Sequence, residues 1–197
     1  MRWILNAIYI LLLMAASPVL LYRMLVLDKY RDGWKQKFLG RLPARDTNKN
    51  DDNVSPAIPE KRLWLHAVSV GEVLQLQTVI EGIQKQRSDI EFVITTTTST
   101  GLDVAKEKFP DHLVCYFPLD FSWAVRRAFE CIRPDAVVLV ELELWPNFIL
   151  EAERIGTPLA LINGRISAKS FRGYRRIRLL MKRLLGCFRT FAVQNET

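Results

Sequence analysis

The sequence predicts an α/β protein, a doubly wound parallel sheet of Rossmann-like topology, preceded by one transmembrane helix. Three observations predict it. From Lys61 onward, short apolar runs alternate with amphipathic stretches at a period of about 25 residues. The runs are continuously apolar, as strands of a parallel sheet covered on both faces must be. Ahead of them, Trp3 to Tyr22 carries no charged residue.

That first stretch is long enough to cross a bilayer, since about 20 residues at 1.5 Å each span a hydrocarbon core of roughly 30 Å. Trp3 and Tyr22 stand where interfacial aromatics belong, and the two dissenting residues, Asn6 and Pro18, lie near the ends. A cleavable signal peptide is the competing reading. Ala15-Ala16-Ser17 resembles a cleavage site, but the preceding region holds only Arg2 and the apolar stretch is unusually long. Residues 1–22 are therefore expected to be a single-pass anchor. Arg2 stands alone before it, whereas Arg23, Lys29, Arg31, Lys35, Lys37, Arg41 and Arg45 follow. This asymmetry places the following domain in the cytoplasm. It makes residues 23–42 a basic juxtamembrane segment, each near-surface cation contributing about 1 kcal/mol toward anionic headgroups. The sequons at Asn53 and Asn195 would then meet no glycosylation machinery. Residues 43–60, polar and with three prolines, read as a linker.

Residues 61–197 form the predicted domain. Leu63–Val68 is the first strand. Glu72–Gln86 follows as a helix with Val73, Leu76, Val79, Ile80 and Ile83 at helical spacing. Ile90–Thr95, Leu113–Phe117, Ala136–Val140, Leu159–Asn163 and Phe188–Val193 are the further strands. Helices are expected near Gly101–Phe109, at Phe121–Ile132, at Trp145–Ile155 with Pro146 in its first turn, and from about Ser167 to Leu185. Right-handed crossovers make this a doubly wound sheet in which strands one and four are neighbours.

Composition narrows the function. The apolar (49%) and charged (25%) fractions are those of a folded globular chain. The net charge of +7 favours an anionic partner, whether nucleic acid, a phospholipid surface or a phosphorylated substrate. Three cysteines, Cys115, Cys131 and Cys187, have no C-x-x-C spacing, which argues against a disulfide framework or a zinc site and for reduced thiols. No dinucleotide-binding glycine fingerprint, phosphate-binding P-loop or nucleophile elbow occurs, and no His/Cys cluster is spaced to hold a metal.

In open parallel sheets ligands bind beyond the carboxyl ends of the strands. The loop after strand one, His66 to Glu72, has Gly71 for a tight turn and two readings for its acid. Ser69 and Glu72 fit a capping box; alternatively Glu72 crosses the strand ends as a general base. His66 reads as a hydrogen-bonded structural residue. The second loop, Thr95 to Gly101, is rich in hydroxyls, suited equally to a helix cap or to cradling a sugar or phosphate. In the third, Asp120 reads as the N-cap of the next helix. The fourth places Glu141 and Glu143 directly after a fully apolar strand. With strands one and four adjacent, Glu72 and at least one of these two face one crevice, a pairing suited to general-base work and to stabilising a cationic transition state.

Between Arg165 and Arg189 lie nine lysines or arginines and no acid, with Leu179, Leu180, Leu184 and Leu185 as an apolar stripe. On a tethered domain this basic amphipathic helix reads as a contact for membrane or lipid phosphate, ahead of a solvated face or a nucleic-acid site.

Taken together, His66–Glu72 (HAVSVGE), Thr95–Gly101 (TTTTSTG), Tyr116–Asp120 (YFPLD), Glu141–Asn147 (ELELWPN), Ile162–Ser167 (INGRIS) and the tail Ala192–Glu196 resemble the transferases of 3-deoxy-D-manno-octulosonic acid (Kdo). The resemblance covers nearly the whole chain, least in 43–60. It implies the N-terminal, acceptor-binding half of a GT-B glycosyltransferase at the cytoplasmic face of the inner membrane, active in lipopolysaccharide biosynthesis. Such enzymes move Kdo from CMP-Kdo to a hydroxyl of lipid A precursor without a metal or cofactor. By resemblance Glu72 is the proton acceptor and Glu141 the transition-state stabiliser. Ser69, Gly71, Thr98, Gly101, Asn147 and Arg165 fall to the substrate, and Arg172, Arg175, Arg176, Lys182 and Arg183 to membrane or lipid phosphate. The donor-binding domain is expected outside these 197 residues, so the chain is expected to be inactive alone, as a fragment, a split gene product or a truncated copy. The alternative is a non-catalytic module that docks on membrane or anionic lipid.

Overall fold

The structure is a computed structural model that describes residues 2–26, 32–44 and 61–194. Helices α1 (Arg2–Val26) and α2 (Trp34–Leu39) precede six strands: β1 (Lys61–His66), β2 (Ile90–Thr96), β3 (Leu113–Tyr116), β4 (Ala136–Val140), β5 (Leu159–Gly164) and β6 (Phe188–Val193). Between strands run α3 (Val70–Gln84), α4 (Ser99–Lys108), α5 (Ser122–Ile132), α6 (Pro146–Ile155), α7 (Ala168–Arg176) and α8 (Arg178–Leu185). Every pairing is parallel, and the order is β3-β2-β1-β4-β5-β6. The doubly wound expectation holds, with β1 and β4 side by side at the point where the winding reverses.

Alternation along the strands divides the core into two layers. Leu65, Phe92, Ile94, Val138 and Val140 pack with Val73, Leu76 and Ile80 of α3 and Ala105 of α4. Trp64, Val93, Val137, Leu139 and Leu161 face the other way, toward Val125 and Phe129 of α5, Phe148 of α6 and Leu184 of α8. Trp64 is fully buried and meets Phe129 and Phe148 edge-on at 5.1 and 5.0 Å between centroids. Cys115 lies in the same layer, where burial pushes its thiol up to about 12 and leaves it inert.

Two expectations change. The basic stretch 167–185 is two helices, broken at Ile177 (φ −112°, ψ 32°). The break turns Met181 and Leu184 inward, while Leu179, assigned to the apolar stripe, stays 78% exposed. Residues 23–42 are not simply a juxtamembrane segment. The Gln36 side chain accepts from the Tyr116 amide at 2.9 Å at the exposed edge of β3, the Trp123 indole donates to the Phe38 carbonyl at 3.0 Å, and Leu42 is buried. The linker expected at 43–60 lies mostly outside the described residues, as do the sequons at Asn53 and Asn195.

Among the described residues no helix is long and apolar enough to cross a membrane. The expected span lies within α1, which continues through Pro18; the Ser17 hydroxyl donates at 2.7 Å to the Met14 carbonyl that the missing proline N–H leaves open. Leu5, Asn6, Tyr9 and Leu13 form its less exposed face, at helical spacing. Asn6 is 5% exposed. Its amide donates to Ser122 Oγ at 2.7 Å, and its carbonyl accepts from the Ser122 amide at 3.1 Å and from Asn147 Nδ2 at 3.2 Å. The Tyr9 hydroxyl donates to Asp120 Oδ2 at 2.8 Å.

Asp120 is therefore not the cap of the helix that follows it; α5 starts after Phe121 with no side-chain cap. The carboxylate instead accepts the first free amides of α6, from Asn147 at 2.9 Å and Phe148 at 2.8 Å. Burial nevertheless dominates and pushes Asp120 up to about 6, against the lowering by those amides and by Tyr9. A raised carboxyl adds stability that is complete below the unfolded-state value near 4 and disappears as pH climbs through about 6. Chemical denaturation of the parent and of Asp120→Asn is thus expected to show the parent's advantage growing by about 2 kcal/mol from pH 7.5 to pH 4. A gap independent of pH would refute the assignment.

Gly40 is the backbone position with least tolerance. Its φ is +61°, and an added Cβ would lie 1.9 Å from the Ala124 carbonyl oxygen. Gly40→Ala is expected to cost at least about 2 kcal/mol, read as a lowered denaturation midpoint.

Candidate active site

Four loops leave the carboxyl ends of β1, β2, β4 and β5. Pairing of His66 with both Thr95 and Leu139 sets the first three side by side. His66 lies beneath them, fully buried and stacked on Phe117 at 3.7 Å; Nδ1 lies 3.1 Å from the Thr95 carbonyl. Burial pushes its imidazole down to about 3, so it is neutral and structural.

Glu72 completes the capping box that the sequence allowed. Ser69 Oγ accepts from the Glu72 amide at 3.3 Å, and Glu72 Oε1 accepts from the Ser69 amide at 3.3 Å. The carboxylate takes two further donors, Ser69 Oγ at 2.7 Å and the Val68 amide at 2.8 Å. Three hydrogen bonds, from Val68 and Ser69, thus hold the carboxylate of Glu72, a residue 6% exposed. Gly71 is exposed and meets little beyond the Ser69 hydroxyl.

Beside it, Thr98 caps α4 by accepting from the Gly101 amide at 3.0 Å. A Cβ at Gly101 would come within 2.6 Å of Thr96 Oγ1 and 2.7 Å of Thr98 Oγ1. Thr96 in turn donates to the Val68 carbonyl at 3.1 Å. The hydroxyl-rich loop thus braces the Glu72 loop, and Gly101 is what lets the two hydroxyls approach.

Glu141 sits one residue past β4 with φ 57°, a left-handed conformation rare for a side-chain-bearing residue. Its amide donates to the Ile162 carbonyl at 2.9 Å, and its carboxylate accepts from Arg165 at 3.0 Å. The pair is partly open, at 31% and 60% side-chain exposure, so it orients more than it stabilises. Asn163, also left-handed at φ 56°, donates to Gln75 of α3 at 2.6 Å and accepts from Gln194. Glu143, half-buried, completes the group. Burial, then the charges of Glu72 and of Glu141, raise its carboxyl above the ordinary range. Glu143 is therefore within electrostatic reach of both Glu72, from the β1–α3 loop, and Glu141, from its own β4–α6 loop.

The remaining expected residues divide. Asn147 is 1% exposed, and its amide donates to the Asp120 carbonyl at 2.5 Å and to Asn6, so it joins α6 to α1 beneath the loop. Arg172, Arg175 and Arg176 line a shallow hollow of about 290 Å³. Lys182 is exposed, but Arg183 forms a two-pronged ion pair with Glu153 of α6 and fastens α8 to the domain. A second hollow, of about 280 Å³, lies between the Glu143–Trp145 segment and Tyr174, Ile177, Leu180 and Met181. Among the described residues no group of three or more His, Cys, Asp or Glu is arranged to hold a metal. The sequence concealed the Glu141–Arg165 pair and the Gln75–Asn163–Gln194 chain, which depend on left-handed turns at non-glycine residues.

The family model described as 3-deoxy-D-manno-octulosonic-acid transferase (kdotransferase) matches residues 32–197. The 3-deoxy-D-manno-octulosonic acid transferase of Chlamydia pneumoniae is 33% identical over 183 residues, covering 92% of this chain and 39% of that protein. That of Rickettsia felis is 34% identical over 135 residues, 68% of this chain and 29% of its own length. A probable mitochondrial counterpart from Arabidopsis thaliana is 38% identical over 115 residues, 58% of this chain and 26% of its own. The chain thus spans between a quarter and two-fifths of the length of these relatives. With a family model matching residues 32–197, most of its length, the chain belongs to the 3-deoxy-D-manno-octulosonic-acid transferase family of glycosyltransferases.

Proposed function

We propose that these residues form the acceptor-binding half of an enzyme that transfers Kdo from CMP-Kdo to a hydroxyl of a lipid A precursor, at the cytoplasmic face of the inner membrane. The observation that carries this reading is the grouping of Glu72, Glu141 and Glu143 at the reversal point of the sheet, with Arg165 beside them. In the proposed reaction the acceptor hydroxyl gives its proton to Glu72 as its oxygen attacks the anomeric carbon of the donor. The bond from that carbon to the CMP phosphate oxygen breaks, and CMP leaves with the electron pair. Glu141, oriented by Arg165, offsets the positive charge that develops on the sugar. The raised carboxyl of Glu143 reduces the repulsion that a third full charge would add.

The capping box serves this reading. Backbone and hydroxyl donors fix the Glu72 carboxylate at the start of α3, so the proposed base is placed without mobile parts. Thr98, Gly101 and Ser69 then act through the shape of the loop more than through contact with the acceptor. The arginine-lined hollow at Arg172, Arg175 and Arg176 suits the phosphates of an anionic glycolipid. The same hollow favours a second reading, a lipid-docking module without catalysis.

Two measurements separate these readings. In a full-length enzyme carrying these residues, Glu72→Gln is expected to lower transfer by about 10²–10⁴-fold while a cooperative thermal transition is retained. Activity within a factor of about three of the parent would eliminate Glu72 as the base. The isolated 197-residue chain, spanning less than half of its relatives, is expected to bind vesicles containing lipid A precursor yet release no CMP from CMP-Kdo. Turnover by the isolated chain would overturn the division into acceptor and donor halves.

A further inference from the structure

We infer that α1 lies along the membrane surface, clamped to the domain, and does not cross the bilayer. The inference rests on the membrane location proposed above and concerns topology alone. The domain follows α1 in the chain, so a crossing helix would put the domain at the Tyr22 end and the N-terminus on the opposite side. Asn6 lies sixteen residues before Tyr22, about 24 Å along the axis at 1.5 Å per residue. Yet Asn6 bonds to Ser122 and Asn147, and Tyr9 to Asp120, at the N-terminal ends of α5 and α6. One helix cannot carry its first three turns across a bilayer from the domain and also seat them against that domain. A crossing arrangement would moreover draw Asp120 toward hydrocarbon, where a carboxylate is costly.

The outward face of α1 specifies what covers it. Trp3, Ile4, Ile8, Leu11 and Leu12 are between 46% and 86% exposed. Aromatic stacking extends this surface. Phe121 meets Tyr9 at 6.1 Å, Phe38 at 6.2 Å and Trp123 at 4.6 Å, and Phe38 stacks on Trp34 at 4.4 Å. Trp34, Leu39 and Trp123 remain 44–46% exposed at its margin, as amphipathic rings do at a headgroup boundary. No acid occurs in residues 1–26, and residues 23–45 hold seven lysines or arginines against Asp28 and Asp32. An apolar helix face bordered by tryptophans and cations fits an anionic phospholipid surface, with the helix sunk to the depth of the acyl boundary.

The test is the sidedness of the N-terminus. The chain carrying an N-terminal peptide tag is expressed in a bacterium, and protease is applied to sealed spheroplasts and to inverted inner-membrane vesicles. The in-plane arrangement expects tag and domain to be protected together in spheroplasts and digested together in inverted vesicles. Digestion of the tag in spheroplasts while the domain survives would overturn it. Recovery of the chain in the soluble fraction would overturn it too, and the proposed membrane location with it. A second readout addresses the clamp. Asn6→Leu combined with Tyr9→Phe is expected to raise amide hydrogen exchange across residues 3–12 at least about tenfold while leaving β1 and β4 protected. Unchanged exchange would show that these bonds do not hold the helix.

Discussion

Strand β1 is hydrogen bonded along its length to β2 and, from Leu63 to His66, to β4. Because both pairings are parallel and their crossovers go to opposite faces of the sheet, the loops after β1 and β4 leave the same edge and diverge around one crevice. The register decides the rest. His66 opposite Leu139 puts Glu141 two residues past the last paired position, level with the turn into α3. A slip of one residue would exchange the two core layers and turn the buried residues of β4 to the wrong faces. The carboxylate group is thus a consequence of strand packing, maintained by the same burial that maintains the core.

What the sheet cannot do is orient those carboxylates, and the loops do so by different means. Glu72 is held by local donors within four residues of itself. Glu141 is held by a backbone turn that disfavors side-chain-bearing residues and by an arginine 24 residues further along. Glu143 is half-buried, and burial first, then the charges of the two others, raises its carboxyl. The cost of gathering three acids is spread over a capping box, an ion pair and a raised carboxyl.

The fold was legible because its signals are local. The apolar runs at Ala136–Val140 and Phe188–Val193 coincide with β4 and β6, bounded by turn residues and of strand length. The capping box at Ser69 and Glu72 was equally legible, since its partners are three residues apart. Asp120 was misassigned for the converse reason. Its position suits the helix that starts two residues later, but its hydrogen bonds reach amides 27 and 28 residues away. Asn147 and Arg183 follow the same rule. Each has a side chain suited to a ligand, and each is engaged by a partner remote in sequence, Asn6 and Glu153. The break at Ile177 carries no proline or glycine of its own; it follows from the fit of Met181 and Leu184 to the core, a tertiary demand that helical periodicity does not encode.

The segment 141–148 joins the two halves of the molecule's chemistry. At one end Glu141 turns out of β4 toward Arg165; at the other, the Asn147 and Phe148 amides close on Asp120. Between them lie Glu143 and the tryptophan and proline that open α6. Asp120 and Asn147 are also where α1 is seated, through Tyr9 and Asn6. Helix α1 and the loop that carries the acids therefore share two buried side chains. α1 is thereby joined to the start of α6, six residues from Glu141. In the reading proposed above, with α1 on the membrane surface and the acceptor in the bilayer, that connection links the seating of the helix to the loop that carries the carboxylates.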